Sequence, residues 1–69
     1  MERTYYRVRI VTDRGIHTVA QWARGDADRI FRRHRGARNC RAVSVHLVSR
    51  EPCYVEQPVR TWARPNGGA

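Results

Sequence analysis

Six arginines crowd into thirteen residues: Arg29, Arg32, Arg33, Arg35, Arg38 and Arg41. No acidic residue lies between Asp28 and Glu51. A guanidinium is a planar fork of N–H donors that stays charged at physiological pH and fits a phosphate with two bonds at once. A run of them on a helix and the loop after it makes a positive ridge suited to nucleic-acid phosphates. Little base selectivity and a steep salt dependence would follow. The competing reading is a solvated face that keeps a small protein in solution.

A second constellation lies on strands. Tyr5, Arg7 and Arg9 alternate on one side of residues 4–12. His17 and Gln21 are expected to join them from the next strand, and Ser44 and His46 from a third. An aromatic ring beside two guanidiniums can stack an unpaired base and hold its phosphate. Tyr5 is the secure aromatic there. Val11, Val19 and Val48 fall on the same side, which favours burial against a second copy of the chain, as a sheet-mediated homodimer. The ridge and this face lie on opposite sides of the sheet. If nucleic acid binds, the ridge is the expected contact and the face a secondary one.

His34, Cys40, His46 and Cys53 are of zinc-ligand type, at spacings of six, six and seven. Closed zinc sites ordinarily use a tight Cys-x-x-Cys or a close His pair, and neither is present. His34 belongs to a helix stripe and His46 to an outer sheet face, so the two should not converge. No metal and no other cofactor is expected. A Cys40–Cys53 disulfide is not expected either, because a turn at residues 50–52 sets Cys53 opposite Ser49, far from Cys40. For catalysis, Ser44 and His46 share a face without a third partner evident in the sequence. The six acidic residues are scattered. The chain reads as a non-enzyme with no catalytic residues.

The elements that must position these groups follow from periodicity. Residues 4–12 alternate, with Tyr6, Val8 and Ile10 inward. Asp13-Arg14-Gly15 reads as a three-residue loop. Residues 16–22 return as a strand, with Ile10 opposite Thr18, Val8 opposite Ala20 and Tyr6 opposite Trp22, which makes Trp22 a core residue. Residues 25–36 read as a helix capped by Asp26, with Asp28 in its first turn and free to pair with Arg32. Ala27, Ile30, Phe31 and His34 form its apolar stripe, and Gly36 ends it. Residues 41–49 alternate again, with Val43, Val45 and Leu47 inward. Residues 53–57 can form a fourth strand that Pro58 interrupts or confines to an edge. Trp62 is expected to pack back on the domain. The pattern predicts an α+β fold of type ββαβ(β), one helix on an antiparallel sheet of three to four strands. Trp22-Ala23-Arg24 recurs as Trp62-Ala63-Arg64, as if two similar hairpins flanked the helix.

Length and charge bound the rest. The 69 residues allow one domain, taken as 1–64, with 65–69 as a loose tail. Net charge is +8, and all fourteen basic residues are arginine. The preference for Arg over Lys fits a GC-rich genome. The excess of base over acid instead favours polyanionic or acidic partners. No stretch approaches a membrane span or a secretory leader, and two free thiols suit a cytoplasmic protein. In size, Arg-only basicity and element pattern the chain resembles small accessory proteins of phages and high-GC bacteria, a likeness of type that names no function. The leading expectation is nucleic-acid phosphate contact through the helix. The alternative is a protein–protein interaction module, such as a phage-type modulator or inhibitor of an acidic host protein.

Overall fold

The computed structural model describes residues 4–50 and 53–65. Strand β1 (Thr4–Thr12), strand β2 (Gly15–Gln21), helix α1 (Arg24–His34), strand β3 (Cys40–Ser49) and strand β4 (Val55–Ala63) follow in order. The four strands form one antiparallel sheet in the order β2-β1-β3-β4. The helix covers one face, over β1, β2 and β3. The fold is thus the expected α+β arrangement with the fourth strand present. Of the segments expected as turn or tail, Glu51, Pro52 and residues 66–69 lie outside the described residues.

The core forms where alternating strand residues meet the apolar stripe of the helix. Val8, Ile10, Val43 and Val45 supply the sheet side; Ala27 and Phe31 supply the helix side. Cys40 joins them because of a bulge. Thr12 pairs with Cys40 while Val11 pairs with Ala42, leaving Arg41 as the extra residue. Cys40 is thereby turned into the core, and Arg41 stays exposed and pairs with Asp13. Both cysteines are free, Cys40 buried and Cys53 exposed.

The helix starts at Arg24, ahead of the expected cap at Asp26. Ala23 is the N-cap and makes no side-chain cap bond, so Asp26 lies within the first turn, near the positive end of the dipole. Asp28 does not pair with Arg32. It takes Arg24 at 3.6 Å and Arg60 of β4 at 3.5 Å. Arg60 also lies over the Phe31 ring, 4.3 Å from its centroid, which closes the edge of the core. Gly36, at φ +82°, ends the helix as expected, with the Ala37 N–H donating to the His34 carbonyl.

The β1–β2 connection corrects the sequence reading. It has two residues, Asp13 and Arg14, and Gly15 already pairs with Thr12. The Thr12 hydroxyl fastens the turn: it accepts from the Arg14 N–H at 3.2 Å and donates to the Gly15 carbonyl at 3.1 Å. Gly15 has φ +133°, which a residue with a Cβ rarely adopts. With one loop residue fewer, every side chain of β2 changes face. Val8 pairs with Val19, Ile10 with His17 and Tyr6 with Gln21. His17, Val19 and Gln21 therefore stand on the helix side, and the expected pairing of Tyr6 with Trp22 in the core does not form.

On β4 the strand runs straight through Pro58, at the sheet edge where a missing N–H costs no ladder bond. A second bulge sits there: His46 pairs with Pro58 and Val45 with Arg60, so Val59 is the extra residue. It reverses the alternation and turns Trp62 onto the helix side, opposite Val43, where it packs against the core as expected.

Candidate nucleic-acid interface

On the solvent side of α1, Arg29, Arg32 and Arg33 are exposed, followed by Arg35 at the C-cap and Arg38 in the turn before β3. The 3.6-residue period puts them there, because Ala27, Ile30 and Phe31 claim the opposite side. Arg29 and Arg33 stand one turn apart, about 6 Å along the axis. None of these five makes a side-chain hydrogen bond or ion pair among the described residues. Arg41, the sixth of the run, is on β3 and bound to Asp13. Of the nearby acids, Asp28 is taken by Arg24 and Arg60 and Asp13 by Arg41, while Asp26 in the first turn is exposed and lines a hollow with Arg29. From Arg32 to Arg38 the ridge carries charge that no neighbouring acid takes up. The last turn is the negative end of the helix dipole, so any anion there is held by the guanidiniums alone.

At its C-terminal end the ridge borders a groove of about 540 Å3. Ile10, Ala37 and Cys40 supply its apolar wall, and Thr12, His17, His34, Arg38 and Asn39 its polar rim. His17 reaches it through the reversed register of β2. His34, at the edge of the core, lines it as well. Sequence reasoning placed His17 on the far side and so missed its place beside Arg38 and His34. Among the described residues no group of three or more His, Cys, Asp or Glu side chains stands close enough to hold a metal ion.

The opposite face of the sheet carries no helix. Tyr5, Arg7 and Arg9 are on it as expected, with Ser44 and His46 beside them and His17 absent. Arg7 is the hub. It donates to the Tyr5 hydroxyl at 2.9 Å, the Tyr54 hydroxyl at 3.0 Å and Glu56 Oε2 at 3.3 Å. The bonds to Tyr54 and Tyr5 push its pKa above the ordinary arginine value, so it stays charged. Val48 belongs to this face by register, between Tyr5 and Glu56, yet it is fully buried.

Glu56 is the third partner that Ser44 and His46 lacked in sequence. Ser44 Oγ lies 2.8 Å from His46 Nε2, and His46 Nδ1 lies 3.6 Å from Glu56 Oε1. The order is that of a nucleophile, a base and an orienting carboxylate. Ser44 stands on an inner strand, whose backbone is committed to ladders with β1 and β4. The Ser44–His46 bond stays within β3, Glu56 Oε1 has no hydrogen-bond partner among the described residues, and it is the Arg7 bond to Glu56 Oε2 that joins β1 to β4.

Compared with known proteins, the chain matches no family model, no curated protein and no solved structure. Among the described residues no helix is long and apolar enough to cross a membrane.

Proposed function

We propose that this domain binds nucleic acid through its phosphates, with Arg29, Arg32, Arg33, Arg35 and Arg38 as the contacts. The supporting observation is their shared state: five neighbouring guanidiniums, all exposed and without partners among the described residues, on one helix and the turn after it. Charges of one sign held this close repel, and a polyanion relieves the repulsion while releasing its counterions. Arg41 contributes less, because Asp13 already holds it. The contacts are to backbone phosphates, so discrimination among base sequences is weak.

Fluorescence anisotropy of labelled DNA and RNA tests the reading. The wild type binds at low salt, and affinity falls steeply as salt rises. The Arg32→Ala, Arg33→Ala double variant binds more weakly and with a shallower salt slope, by about one unit for each phosphate that is no longer engaged. Absence of binding at low salt would leave the ridge as a solvated surface.

A second reading has its own observation. At one end of the open sheet face, Ile16, Val11, Ala42 and Ala63 lie in register across all four strands, and Ile16 is 64% exposed. An apolar row of this kind suits protein contact, whether a second copy or an acidic partner. Sedimentation at micromolar concentration separates a dimer from a monomer.

A further inference from the structure

Trp22 is 81% exposed, more than any other large apolar residue described. An indole left in water exposes apolar surface that folding normally hides, so its surroundings matter. Trp22 lines a hollow of about 240 Å3 with Tyr5, Ala20, Gln21 and Arg50. The Tyr5 ring meets it nearly at right angles, 70° between planes and 6.3 Å between centroids. Tyr5 is fixed in turn, since Arg7 donates to its hydroxyl and is itself anchored on Tyr54 and Glu56. A Tyr5 ring fixed through its hydroxyl and an exposed indole edge-on to it thus stand beside a charged side chain, Arg50, that has no side-chain partner among the described residues.

Around the β2 edge, the hollow shares one lining residue with a second hollow beside the ridge. Gln21 lines the first, and Gln21 lines the second, of about 200 Å3, together with Asp26, Arg29 and Ile30. A chain seated on Trp22 that follows this edge passes Gln21 and Asp26 to Arg29, the first arginine of the ridge.

We propose that Trp22, Tyr5 and Arg50 form a stacking site for one unpaired nucleobase of a single strand whose phosphates continue onto the helix ridge. This rests on the phosphate-contact reading and adds a preference for single strands to it. Charge complementarity selects the occupant. A second copy of the chain brings another net +8 and so no excess of acid to match Arg50. An apolar peptide leaves Arg50 unmatched. An unpaired nucleotide offers both a flat π-face for the rings and a phosphate for the guanidinium. In a duplex the base faces are already stacked on their neighbours and are not available.

The test uses three ligands on the full chain: a 20-nucleotide oligo(dT), a duplex of the same length, and heparin, which has the charge without bases. Wild type binds oligo(dT) more tightly than duplex, and oligo(dT) quenches tryptophan fluorescence while heparin does not. Trp22→Ala weakens oligo(dT) binding on the order of tenfold, leaves heparin binding unchanged and abolishes the quenching that Trp62 cannot supply. Trp22→Phe restores most of the affinity. Unchanged oligo(dT) binding by Trp22→Ala would overturn the stacking site and leave the ridge reading intact, as would equal losses for oligo(dT) and heparin. Failure of the wild type to bind either ligand would overturn both.

Discussion

The two edge strands, β2 and β4, lead into the same three residues, Trp-Ala-Arg, and dispose of them in opposite ways. After β2, Trp22 stands in solvent against Tyr5, and Arg24 opens the helix. On β4, Trp62 packs on the core with the Arg64 guanidinium 5.6 Å from its ring centroid. Arg64 then donates to the backbone carbonyls of Cys40 and Ala37, closing that end of the sheet. A single residue makes each difference. The β1–β2 loop is one residue shorter than its sequence suggests, which turns the β2 side chains over. The Val59 bulge adds one residue to β4, which turns Trp62 inward. One hairpin consequently packs its indole on the core, and the other leaves its indole in solvent.

The comparison can be broken most severely by inserting one alanine between Val59 and Arg60. With that residue paired in the ladder, Arg60 moves opposite Ser44 and Trp62 opposite Ala42, so Trp62 moves to the open face and Arg60 leaves Phe31. The chain should then lose its cooperative fold, seen as collapse of near-ultraviolet circular dichroism, because a core of this size supplies only about 3–5 kcal/mol. Trp62→Ala keeps the alternation and removes only the ring, at a cost of about 3 kcal/mol. The urea midpoint should fall accordingly. Trp22→Ala is the smallest change, within about 0.5 kcal/mol. A larger loss from Trp22→Ala would show that both tryptophans are structural and would remove the contrast between the hairpins.

The inner strands were legible because each has one apolar side. Tyr6, Val8 and Ile10 in β1, and Val43 and Val45 in β3, have no competing set on the other face large enough to claim the core. The helix stripe Ala27, Ile30, Phe31 and His34 was legible for the same reason, and so was the ridge opposite it. Strand β2 was not. Ile16, Ala20 and Trp22 lie on one of its faces and Val19 on the other, so apolar pattern cannot choose between registers. The choice fell to the Thr12 hydroxyl and to the freedom of Gly15 at positive φ. Strand β4 hid its continuation behind Pro58, and nothing local marks Val59 as a bulge. Glu56 was unassigned because its partners, Arg7 and His46, are brought to it only by strand pairing.

The sequence by itself determined the two inner strands, the helix and a ridge of arginines on its solvent side, since periodicity and charge are local properties. Tertiary structure alone decided which way each edge strand faces. It sent His17 to the ridge side and Trp22 to solvent, drew Trp62 into the core, and placed Glu56 beside His46 and Arg7. Those outcomes depend on hydrogen-bond register across strands. Register is fixed by turn length and bulges, where one residue reverses a whole face and leaves almost no trace in composition or period.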